Sequence, residues 1–68
     1  MKTIYDIQQL LKSYGTIIYL GNRLDDLEMM EMEIRDLYHT QLLDESEFRT
    51  AILLLRREIR LEKEKRER

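Results

Sequence analysis

The chain contains no cysteine and no proline, and it has a single histidine and two glycines in 68 residues. Without cysteine there is no disulfide, no thiolate metal site and no thiol nucleophile. Without proline, no helix is interrupted from within. Long apolar runs are also missing. Nothing approaches the roughly 18 residues needed to span a bilayer. The opening Met1-Lys2-Thr3-Ile4-Tyr5-Asp6 lacks the uninterrupted apolar stretch of a signal peptide. A soluble, cytoplasmic protein without a membrane partner is the expectation.

Sixty-eight residues allow one domain, 1–68. A domain this small buries only about 60% of the surface its unfolded chain exposes. With disulfides excluded, efficient helices or self-association must supply the stability. Charged residues make up 38% of the chain. Leu, Glu, Arg, Lys, Met and Ile dominate, a helical composition. The net charge of −2 hides a segregation: by count, residues 1–22 carry +1, 23–48 carry −7 and 49–68 carry +4. An acidic middle is followed by a basic end.

The segment Thr3 to Arg23 organises the rest, with three of the four tyrosines and both glycines. Thr3 followed by Asp6 is a short-armed capping box. Ile4, Ile7, Leu10, Leu11 and Tyr14 then recur at helical spacing, and Gly15 is a natural helix terminator. This predicts a first helix over about 3–14, with Tyr5, Gln8, Gln9 and Lys12 on its other side. Tyr14 is expected in the core with its hydroxyl at the edge. Thr16-Ile17-Ile18-Tyr19-Leu20 is β-prone, but no second run offers a strand partner. It reads as an apolar connector packed on the core, closed by a turn at Gly21-Asn22.

Asn22 caps a second helix over about 23–40, with Leu24, Leu27, Met30, Ile34, Leu37 and Tyr38 as its apolar stripe. Asp44 with Glu47 signals a third helix over about 45–64, with Ser46 as an alternative cap. Its inward stripe is Phe48, Ala51, Ile52, Leu55 and Ile59. From about residue 62 the chain is all charge, a solvated helix end or frayed coil. The fold class is all-α, a three-helix bundle.

The pattern Tyr5-Asp6, Gln8-Gln9-Leu10-Leu11-Lys12, Tyr14-Gly15, Ile17, Tyr19, Gly21 and Arg23 resembles the YqgQ family, small helical proteins of Bacillus and related bacteria. Leu37-Tyr38 and Leu54-Leu55-Arg56 with Glu58 extend the resemblance over most of the chain. It implies a compact three-helix bundle, a bacterial cytosolic location and, as a suggested role, binding of single-stranded nucleic acid. The final charged residues lie outside the pattern.

Catalysis is not expected. Ser13 and Ser46 stand in no nucleophile motif, and neither glycine sits in a phosphate-binding one. The carboxylates of the second helix fall on a polar face rather than in a cleft that could separate their pKa values. Asp36-x-x-His39 is one copy of a spacing that di-metal bundles use twice. No cofactor, metal or small-molecule substrate is therefore expected. Gly21-Asn22-Arg23 before a helix start is a weak anion signal.

The sharper feature lies on the third helix. With Phe48 at 0° on a helical wheel, Arg49, Arg56, Arg60 and Lys63 fall between roughly 60° and 120°. Glu47, Glu58 and Glu62 fall on the opposite flank. Cations beside aromatics suit single-stranded DNA or RNA, where cations neutralise phosphates and rings stack on bases. Tyr5, off the apolar stripe, is the better stacking residue, and Lys12 extends the charge. The net negative charge weighs against strong non-specific binding, for which a basic domain is expected. The alternative is a homo-oligomer or protein-adaptor surface. Met29, Met32 and Leu53 exceed what single apolar stripes need, and methionine makes an adaptable contact.

Overall fold

A computed structural model describes residues 1–67. It contains three helices, α1 (Ile4–Ser13), α2 (Arg23–His39) and α3 (Glu45–Arg66). The all-α three-helix bundle expected from the sequence is what forms.

Each helix starts where a side chain satisfies free backbone donors. The Thr3 hydroxyl accepts from the Asp6 N–H at 3.3 Å, while the Asp6 carboxylate accepts from the N–H groups of Thr3 at 3.1 Å and Lys2 at 2.8 Å. Asn22 Oδ1 accepts from the Asp25 N–H at 3.1 Å. Asp44, not Ser46, caps α3: its carboxylate accepts from the Glu47 N–H at 2.7 Å, and Glu47 accepts from the Asp44 N–H at 3.3 Å.

Two helices end alike. The Thr16 N–H donates to the Leu11 carbonyl and the Gly15 N–H to that of Lys12, both at 2.9 Å, with Gly15 at φ 85°. This is a Schellman closure with glycine at its left-handed position. At the end of α2, Leu42 N–H donates to Leu37 at 2.8 Å and Gln41 N–H to Tyr38 at 3.0 Å. Here the left-handed residue is Gln41, at φ 65°.

The core is built from Ile4, Ile7 and Leu11 of α1, Leu27, Met30 and Ile34 of α2, and Ala51 and Leu55 of α3, with Leu43 from the α2–α3 turn. Leu43 is a core residue that helical periodicity does not reveal, because it lies between helices. Leu10, Leu37, Phe48, Ile52 and Ile59 pack against this centre without being fully enclosed. Tyr38 stacks on Phe48 with ring centroids 4.1 Å apart and planes inclined at 13°.

α2 and α3 form the most extensive interface, an antiparallel hairpin across a short turn. The Tyr14 hydroxyl, at the end of α1, donates to the Leu42 carbonyl beyond the end of α2 at 3.0 Å. At the other end, Lys2 to Tyr5 share a cleft with Arg23, the first residue of α2. So α1 runs parallel to α2. A parallel pair requires the connecting chain to travel back along the whole first helix. The ten residues of α1 are about 15 Å long. Five extended residues reach about 17 Å. This explains why Thr16–Leu20 is β-prone with no strand to join: it is a return path, not a sheet element.

The connector departs from expectation in its packing. Ile18 meets the core, but Ile17 is 78% exposed, Tyr19 85% and Leu20 54%. Alternation along extended chain accounts for Ile17 and Tyr19 pointing away from the core on either side of Ile18; Leu20, of the same parity as Ile18, is exposed where the chain turns at Gly21. Tyr14 also differs, being exposed and held by its hydroxyl rather than by burial of its ring. The charged end is helical as far as Arg66, whose guanidinium donates to Asn22 Oδ1 at 2.8 Å and lies 3.9 Å from Glu62.

Candidate functional site

The outer side of α3 carries the four cations singled out in the sequence, and the structure gives them different surroundings. Arg49 lies 2.8 Å from Glu45 and Arg60 lies 3.2 Å from Glu64, each one turn away on the same helix. Both pairs are solvent-exposed, so each contributes little to stability and partly cancels the local positive charge. Arg56 is exposed. Lys63 lines a shallow hollow with Glu28, Glu31, Met32 and Ile59, facing the acidic helix α2.

Tyr5 does not join this row. It lines a cleft of about 410 Å³ with Lys2, Thr3, Ile4, Arg23, Leu54, Arg57 and Glu58. The reason is angular. Arg57 follows Arg56 by roughly 100° on the wheel, and Leu54 and Glu58 lie further round in the same sense. α1 packs on that side of α3, whereas Lys63 and Ile59 face α2. The six residues Tyr5, Lys12, Arg49, Arg56, Arg60 and Lys63 therefore do not form one surface.

The cleft itself has a defined chemistry. Its lining holds three cations, Lys2, Arg23 and Arg57, and one carboxylate, Glu58. Tyr5 is 64% exposed, so its ring is open to solvent. The floor includes Ile4, a core residue, and the half-buried Leu54. Three elements supply these groups: the residues around the start of α1, the first residue of α2 and the middle of α3. Asp6 lies close in sequence, but its charge is directed into the helix cap. The backbone N–H groups of Lys2 and then Thr3 hold its carboxyl below the ordinary aspartate range.

Arg23 and Arg57 are the residues that periodicity alone passes over. Arg23 carried a signal, as a cation directly after a helix cap. Arg57 carried none without knowledge of which flank of α3 receives α1.

Lys12 sits two turns beyond Tyr5 on the same outer side of α1. There it lines a separate pocket of about 220 Å³ formed by α1 and the connector. Met32 and Leu53 are exposed, whereas Met29 is partly buried. Among the described residues no group of three or more His, Cys, Asp or Glu side chains is placed to hold a metal ion. Among the same residues no helix is long and apolar enough to cross a membrane.

Comparison with known proteins agrees with this architecture's sequence pattern. The family model described as YqgQ-like matches residues 1–61. The chain is 39% identical over 59 residues to the uncharacterized protein YqgQ of Bacillus subtilis (strain 168), an alignment covering 87% of this chain and 83% of that protein. The match to the family model ends before the all-charged end of α3, whose Arg66 reaches the cap of α2. On both measures, this chain belongs to the YqgQ-like family.

Proposed function

We propose that the protein is a non-enzymatic binder of single-stranded nucleic acid, acting in the cytosol through the cleft around Tyr5. The observation that carries this reading is that Lys2, Arg23 and Arg57 line one cleft with Tyr5, which is exposed. Phosphates of a single strand meet the cations, and one base stacks on Tyr5. Base–aromatic stacking contributes about 1–3 kcal/mol per base without demanding a sequence. A duplex keeps its bases paired and offers the ring nothing to stack on.

With a net charge of −2, the protein has no global field to attract a polyanion. Affinity must come from the local cleft, so it is modest and falls steeply with salt. The test is fluorescence anisotropy of labelled single-stranded DNA and RNA of about 20 nucleotides, at low and near-physiological salt, with a duplex control. Saturable, salt-sensitive binding that prefers single strands supports the reading. Failure to bind at low salt and high protein concentration removes it.

A second reading is favoured by a different observation. Met32 is 59% exposed and Leu53 65% exposed. These are apolar groups that a small bundle left in water would use to associate with a second copy or a protein partner, with the partly buried Met29 one turn before Met32 on α2. On that reading Met32→Asp or Leu53→Asp changes the solution mass and leaves nucleic-acid affinity untouched.

A further inference from the structure

The connector and α1 enclose a second pocket that the cleft around Tyr5 does not use. Its floor is apolar, with buried Leu11 and half-buried Ile18, and Ile17 forms one side. Its rim carries two exposed carboxamides, Gln8 and Gln9, and the ammonium group of Lys12. At about 220 Å³ it is smaller than the roughly 300–1,000 Å³ of sites for drug-sized ligands. A single planar ring system is the scale of ligand it suits.

Position ties this pocket to the first cleft. Gln8 and Gln9 follow Tyr5 by three and four residues, so all three share one outer face of α1, about one 5.4 Å turn apart. That step exceeds the about 3.4 Å per nucleotide of a stacked duplex strand. Two adjacent bases occupy both places only when splayed beyond the stacked spacing. Lys12 lies a further turn along, where the next phosphate would run. A carboxamide presents a donor and an acceptor side by side and pairs bidentately with the amino group and adjacent ring nitrogen of adenine.

We propose that this pocket is a nucleobase subsite selecting adenine, in which Gln8 and Gln9 read the base edge, Leu11 and Ile18 support its plane and Lys12 holds a flanking phosphate. It rests on the reading of the Tyr5 cleft as a single-strand site and adds a sequence preference to it. Tyr5 stacking is indifferent to base identity; Gln8 and Gln9 are not.

The experiment uses two labelled strands of about 20 nucleotides, one all thymidine and one with scattered thymidines replaced by deoxyadenosine. Titrated at one salt concentration, the adenine-bearing strand should bind about tenfold more tightly, within the range of one good bidentate base contact. The double substitution Gln8→Ala with Gln9→Ala should bring the affinities of the two strands within about twofold of each other. Alanine at exposed helical positions favours the helix, so folding is retained. Equal binding of both strands by the unaltered protein, or a preference that survives the double substitution, overturns the subsite and leaves the Tyr5 cleft standing. Absence of binding to either strand overturns both.

Discussion

The Tyr14 hydroxyl donates to the Leu42 carbonyl at 3.0 Å, across 28 positions of sequence. This bond fastens the end of α1 to the turn between α2 and α3, and adds to the core packing of Ile4, Ile7 and Leu11 that holds α1 parallel to α2. The parallel arrangement in turn brings Lys2 and Tyr5 beside Arg23. One exposed hydrogen bond at the far end thus helps to set the register that assembles the cleft. Tyr14→Phe should lower stability by about 0.5–1.5 kcal/mol, the net value of one such bond, and towards the lower limit because water can replace it. Urea unfolding would measure this as a lower midpoint at unchanged slope.

Gln41 holds the left-handed position that glycine fills at Gly15. A side chain there crowds its own backbone, at about 1–2 kcal/mol for an L-residue in this region. Part of that is offset by the greater freedom glycine has in the unfolded chain. Gln41→Gly should therefore raise stability by about 0.5–1 kcal/mol. In a domain this small the gain should appear as a rise of several degrees in Tm.

Acid should weaken the start of α1. The folded protein holds the Asp6 carboxyl below its ordinary value, chiefly through the Lys2 N–H and then the Thr3 N–H. A depressed folded-state pKa stabilises the protein above the unfolded value, near pH 4. That contribution is lost as pH falls through the folded value. Asp6→Asn should lower the urea midpoint at neutral pH, and the difference from the unaltered protein should shrink below about pH 4.

Much of the fold was legible because the chain states its boundaries locally. Thr3 with Asp6 and Asp44 with Glu47 mark two helix starts by capping boxes, and Gly15 marks an end. Two of the features that were not legible lie between α2 and α3. Gln41 closes α2 in a conformation usually given to glycine, and Leu43 is buried from a turn, where periodicity has no meaning. The site was only half legible for a related reason. Tyr5 could be placed on the outer side of α1, but its companions depend on which flank of α3 receives α1. Arg56 and Arg57 are neighbours in sequence and point roughly 100° apart. That angle puts Arg57 in the cleft with Tyr5 and leaves Arg56 outside it.

The most direct test of the Tyr5 cleft compares two charge reversals in salt titrations of single-strand binding. Lys2→Glu with Arg57→Glu alters the cleft; Arg49→Glu with Arg60→Glu alters the ion-paired outer row of α3. The cleft reversal should weaken binding at least tenfold and flatten the slope of log affinity against log salt by about 1.4, which is two phosphate contacts on a single strand. The outer-row reversal should leave both within about twofold and about 0.3 of the unaltered protein. The opposite order, with the outer row controlling affinity and slope, would contradict the account.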